Sequence, residues 1–141
     1  MLIHEQMSAS GHNVKLQMFA SDVDPDAVAS ARDGLYPDSI EADVSPARLA
    51  RFFTKEGNTY RILPELRAAV IFTVQDVLTD PPFSRLDMIS CRNLLIYLQP
   101  EAQERAISVF HLALRDRGIL LLGGAETIDN GPVDYPKASF T

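Results

Sequence analysis

The chain has 141 residues, a formal net charge of −6 and 46% hydrophobic residues, enough for one domain with a buried core. The acidic balance, with no basic cluster longer than a pair, excludes a nucleic-acid footprint. Cys91 is the one cysteine, which excludes an internal disulfide and a cysteine-rich metal site and fits a reducing compartment. Every apolar run falls far short of the ~20 residues of a membrane helix, and the N-terminus lacks the basic-then-apolar order of a signal peptide. No membrane insertion is expected, and a cytoplasmic location is the default.

In chain order, residues 1–10 read as the tail of a helix and residues 16–20 as an apolar strand. Asp24 is a suitable N-cap with Pro25 at the first helical position, Ala27, Val28 and Ala31 form an apolar face, and Gly34 can end the helix in a left-handed conformation. Residues 36–67 break the pattern with Pro37, Pro46 and Pro64 and read as a small inserted subdomain. It contains an amphipathic piece at 47–53, a Gly57-Asn58 turn and a hairpin strand at 60–62. Two further apolar strands are expected at 70–74 and 86–91. A helix over 100–115 follows, opened by Pro100, with an Ile107, Phe110, Leu114 stripe and Arg115 and Arg117 at its negative end. Gly118 stops it, a fourth strand occupies 119–122, and residues 129–141 form an irregular tail. The four strands are continuous apolar runs rather than alternating ones, which predicts burial on both faces in a mostly parallel, helix-covered α/β sheet.

Ligands of such sheets bind outside the carboxyl ends of the strands, and four places there carry polar groups. Asp22 ends the first strand with a carboxylate suited to accept from both hydroxyls of a ribose; the competing reading makes it a cap of the strand–helix turn. Asp76, just past the 70–74 strand, and the backbone beside it suit an adenine edge, or Asp76 simply begins a turn. Arg92 and Asn93 follow the 86–91 strand and are costly there unless they face a crevice. Tyr97 reaches the same crevice if a helical turn intervenes; otherwise Arg92 is a surface charge and Tyr97 a core aromatic. Cys91 reads as a small buried hydrophobe rather than a nucleophile, since no histidine lies beside it. His4, His12 and His111 lack metal-ligand spacing. No glycine-rich phosphate loop is found.

The segments Phe19-Ala-Ser-Asp-Val-Asp-Pro-Asp26, Tyr36-Pro37, Asp76-Val-Leu78, Phe83-Ser-Arg-Leu-Asp87, Ser90-Cys-Arg-Asn-Leu-Leu-Ile-Tyr-Leu98 and Gly118-Ile-Leu-Leu-Leu-Gly-Gly-Ala-Glu126, in this order, resemble the catalytic domain of the CheR-type protein-glutamate O-methyltransferases. The resemblance covers residues 1–128, and the Cys-Arg-Asn segment is its most specific part. It implies a partial Rossmann-like class I methyltransferase sheet that uses S-adenosyl-L-methionine, releases S-adenosyl-L-homocysteine and methylates glutamates of a methyl-accepting chemotaxis receptor. By position, Asp22 holds the ribose, Asp76 and Val77 line the adenine, and Cys91 and Arg92 touch the cofactor. Arg92 and Tyr97 face the substrate glutamate. The family's N-terminal helical domain and its glycine-containing cofactor loop have no counterpart in the sequence, and residues 129–141 depart from its pattern. The chain therefore reads as part of a larger chemotaxis protein, with fused or associated methylesterase and sensor domains. The competing reading, from a different class, is a catalytically inactive interaction module in a chemotaxis-type signalling assembly.

Overall fold

The computed structural model of the chain describes residues 1–11 and 15–124. It divides into two compact units, Met1–Gln75 and Asp76–Thr141. His12, Glu126, Ile128 and the expected irregular tail lie outside the described residues.

In the first unit, helix α1 (Leu2–Ala9) precedes strand β1 (Met18–Asp22) and helix α2 (Pro25–Asp33). Asp24 caps α2 as expected: its Oδ1 accepts the Asp26 N–H at 2.9 Å, and Pro25 sits where no intrahelical N–H is needed. Gly34 ends the helix in the left-handed region at φ 62°, and a Cβ there would lie 2.6 Å from the Ile62 Cγ2 methyl. Both backbone and space therefore require glycine. The chain continues through β2 (Leu35–Pro37), α3 (Pro46–Phe52), β3 (Phe53–Glu56), β4 (Thr59–Ile62) and α4 (Pro64–Ala68) to β5 (Val70–Val74). β1 and β5 pair in parallel, with Met18 opposite Val70 and Asp22 opposite Val74.

The segment between α2 and β5 has a sheet of its own, antiparallel in the order β2-β4-β3. Its hairpin turns at Gly57-Asn58, as the sequence predicts, and Leu49, Phe52, Phe53, Tyr60 and Leu66 form its core. Phe53 meets both Tyr36 and Tyr60 edge to face. The proline-rich stretch 36–67 gives no periodic signal for β2 or β3. Their pairing comes from these aromatic contacts and not from local propensity. Two arginines fasten this subdomain. Arg48 on α3 forms a bidentate pair with Glu5 on α1. Arg67 donates to the Arg32 and Val70 carbonyls and lies over the Phe72 ring.

The second unit contains β6 (Leu86–Cys91), α5 (Pro100–Ala113) and β7 (Leu114–Leu122), with β6 and β7 parallel. Its core is Cys91, Leu95, Ala106, Ile107 and Phe110. The helix is shorter than the 100–115 expectation because strand pairing starts at Leu114, opposite Leu86. The register then jumps so that Met88 faces Ile119, and residues 115–118 bulge out of the ladder. Arg115 and Arg117 therefore lie on the strand, not at a helix terminus. Arg115 pairs with Asp87 at 2.8 Å, and Arg117 takes φ 64°.

The expectation of strands buried on both faces is not met among the described residues. In β6 and β7 the face bearing Ile89, Cys91, Leu120 and Leu122 packs on the core, while Met88, Ile119 and Leu121 are exposed. In β1 and β5, Ala20, Val70 and Phe72 are partly covered and Phe19 and Ile71 are exposed. Successive strand residues point to opposite faces, and each parallel pair has one covered face.

Candidate cofactor and substrate site

Asp22 stands at the carboxyl end of β1, exposed, where its backbone carbonyl still accepts the Gln75 N–H at 2.9 Å. Its Oδ1 accepts the Asp24 N–H at 3.0 Å. The turn-capping reading of Asp22 is thus physically present, and it occupies one carboxylate oxygen. Oδ2 has no hydrogen-bond partner among the described residues. The turn fixes the direction of the carboxylate and leaves one acceptor open.

The loop after β5 belongs to the second unit and is built in the same way. Asp76 Oδ1 accepts the Leu78 N–H at 2.8 Å, the Asp76 N–H donates to Asp80 Oδ2 at 2.8 Å, and the Asp76 carbonyl accepts from Thr79 and Asp80. Asp76 therefore does begin a turn. Asp80 is its partner, and nothing in the spacing announces a side chain reaching back to residue 76. Val77 places its side chain against the core, while its N–H has no hydrogen-bond partner among the described residues.

β6 ends at Cys91, which is buried at 6% exposure within the unit's core, as the reading of a small hydrophobe requires. The chain then turns abruptly. Arg92 is exposed, with no hydrogen bond or ion pair among the described residues, and Asn93 takes φ 59°, a conformation asparagine tolerates better than most residues. A single 3-10 turn, Leu95–Tyr97, follows. Leu95 anchors it at 4% exposure, and Tyr97 projects outward at 78%. The alternative reading of Tyr97 as a core aromatic is overturned. Leu95 is the core residue, and the turn places position 97 away from the anchored one.

Gln103 is a further residue that the sequence does not mark. From the first turn of α5 its carboxamide reaches back to the Leu95 and Leu98 carbonyls. A lone glutamine in a helix gives no sequence signal for such a role.

The whole chain, residues 1–141, matches the family described as CheR methyltransferase, SAM binding domain. The chain belongs to the CheR methyltransferase family. It is 37% identical over 123 residues to a chemotaxis protein methyltransferase of Listeria innocua, covering 87% of this chain and 47% of that protein. Identity to chemotaxis protein methyltransferase 1 of Pseudomonas aeruginosa is 30% over 123 residues, 85% of this chain and 45% of that one. An uncharacterized 104.1 kDa protein of Rhodobacter capsulatus is 43% identical over 139 residues, which is 99% of this chain but 15% of that protein. The chain thus spans about half the length of the named chemotaxis methyltransferases it matches.

The cofactor of this CheR domain is S-adenosylmethionine, and the residues present have chemistry suited to its ribose and its adenine. A ribose diol calls for an acceptor, and Asp22 keeps an open carboxylate oxygen in the first unit. An adenine edge calls for an acceptor beside a donor, and the second unit has the Asp76 carboxylate next to the open Val77 N–H.

Proposed function

We propose that this chain is the cofactor-binding part of a protein-glutamate O-methyltransferase that acts on the glutamates of methyl-accepting chemotaxis receptors in the cytoplasm. The observation that carries the reading is the Cys91-to-Tyr97 segment. A buried strand end and the Leu95 anchor hold two outward groups, Arg92 and Tyr97, neither engaged by the described residues. The domain comprises residues 1–128 with the insertion at 36–67. A longer parent is supported by the Rhodobacter capsulatus relative, of which the match covers 15%, and fused or associated methylesterase and sensor domains are part of the proposal.

In this reading Asp22 holds the ribose, Asp76 and the Val77 N–H hold the adenine, and Cys91 and Arg92 border the rest of the cofactor. Bound S-adenosylmethionine supplies an electrophilic methyl group on a cationic sulfur. The substrate carboxyl, with an ordinary pKa of ~4.3, is already ionised at neutral pH, so no general base is needed. Arg92 orients that carboxylate by a charge-assisted hydrogen bond. Tyr97 borders the reacting centre and excludes water. The reacting groups lose their opposite charges on the way to product, so alignment and desolvation supply much of the rate. A very tight arginine–carboxylate pair would stabilise the ground state instead.

Calorimetric titration of the chain with S-adenosylhomocysteine tests this. Saturable binding that is lost in Asp22→Ala supports the assignment. A folded chain that binds nothing removes it for this polypeptide and leaves the interaction-module reading.

A further inference from the structure

Gln103 is half-buried in the first turn of α5, and its Nε2 donates to the Leu95 carbonyl at 2.9 Å and the Leu98 carbonyl at 3.0 Å. Both partners are acceptors, so only the NH2 end of the carboxamide can face them. The two carbonyls bracket Ile96 and Tyr97. Within the turn, the Tyr97 N–H donates to the Leu94 carbonyl and the Leu98 N–H to the Leu95 carbonyl. A single 3-10 turn is weakly held by its own bonds, and the Tyr97 side chain, 78% exposed, has no hydrogen bond to the described residues. The clamp ties both ends of the turn to α5, in which Ala106 is 0% exposed.

We propose that Gln103 is the positioning residue for Tyr97, setting the backbone turn that aims the tyrosine ring at the reacting centre. This rests on the role given to Tyr97 above. Gln103 itself touches neither substrate nor cofactor. Its contribution is pre-organisation: a turn held from both ends presents one orientation of the ring where a free turn samples several.

The test compares Gln103→Glu, which faces both carbonyls with acceptors, Gln103→Met, which keeps the volume without donors, and Gln103→Lys, which keeps donors. Amide hydrogen exchange of the chain is the first readout. Exchange at Tyr97 and Leu98 should accelerate about tenfold in the Glu and Met variants, the scale of one or two lost hydrogen bonds. It should return toward wild type in the Lys variant, with Ile107 and Phe110 unchanged throughout. Unaltered exchange at Tyr97 and Leu98 overturns the proposal, whatever the activity.

Methyl transfer by the intact protein is the second readout. Gln103→Glu should lower kcat about tenfold and leave the cofactor KM within about twofold, and in a Tyr97→Ala background the same change should add less than about twofold. Full additivity breaks the link between the two residues and overturns the proposal. A Tyr97→Ala variant with wild-type kcat overturns it too. Accelerated exchange in that case places the failure in the role of Tyr97 and not in the clamp.

Discussion

In the proposed function Asp22 divides one carboxylate between the turn it caps and the ribose, and two substitutions separate these tasks. Asp22→Asn keeps an oxygen for the Asp24 N–H but removes the charge, whereas Asp22→Ala removes both. An ionic hydrogen bond is worth about 1.5–3 kcal/mol. Each variant should therefore weaken S-adenosylhomocysteine binding about tenfold or more by calorimetry, while Ala alone also lowers the melting temperature. Equal affinity in all three proteins would exclude Asp22 from the ribose. Arg117 makes a different prediction. It is a non-glycine residue at φ 64° within the β7 bulge, where left-handed backbone costs about 1–2 kcal/mol. Arg117→Asn, a residue that visits this region readily, should raise stability by about 0.5–1 kcal/mol. A denaturant midpoint that is unchanged or lower would show that the bulge is not strained at this position.

At the scale of elements, the best-defined stretch is α2, whose cap, first-turn proline and terminal glycine are all legible in the sequence because each acts through its own backbone. Gly34→Ala should cost about 1–3 kcal/mol, since it meets both left-handed strain and the Ile62 methyl 2.6 Å away; a chemical melt reads this directly. β5 and β6 were equally legible, as short apolar runs between turn residues. The hairpin sheet was legible only in part, since β2 is exposed and held by cross-strand partners distant in sequence. Of the residues proposed for the site, Asp22, Arg92 and Tyr97 stand out in the sequence because polar or aromatic groups follow apolar strands, but the Asp80 and Gln103 contacts depend on tertiary distances that no spacing encodes. The subdomain also carries a charge network with a pH consequence. Glu41 accepts from Lys55 Nζ at 2.8 Å and from the Tyr60 hydroxyl at 2.5 Å. First the Lys55 bond and then that from Tyr60 hold its carboxyl below the ordinary 4.5. A carboxylate with a lowered folded pKa contributes its stability in full above the unfolded value and loses it as pH falls through the folded one. The melting temperature should therefore decline as pH drops below about 4.5, and Glu41→Gln should flatten that decline. An identical acid profile in the two proteins would remove the network from the account.

Across the whole molecule, apolar residues fall into two classes that their hydropathy does not distinguish. Ile107 and Phe110 are each 7% exposed in the second unit's core, whereas Ile119 and Leu121 on the neighbouring strand are 58% and 44% exposed. Large-to-small changes in a packed core cost about 3–5 kcal/mol for phenylalanine, and changes at exposed positions stay within about 0.5 kcal/mol. The same face has a second physical consequence, because exposed apolar strand surface favours association between molecules. Phe110→Ala should therefore unfold the second unit or lower its melting point sharply. Ile119→Thr combined with Leu121→Thr should leave stability close to wild type and reduce concentration-dependent self-association, followed by sedimentation velocity over a range of concentrations. If the double variant is as destabilised as Phe110→Ala, that strand face is packed in the folded protein and the division between covered and bare faces described for β6 and β7 is wrong.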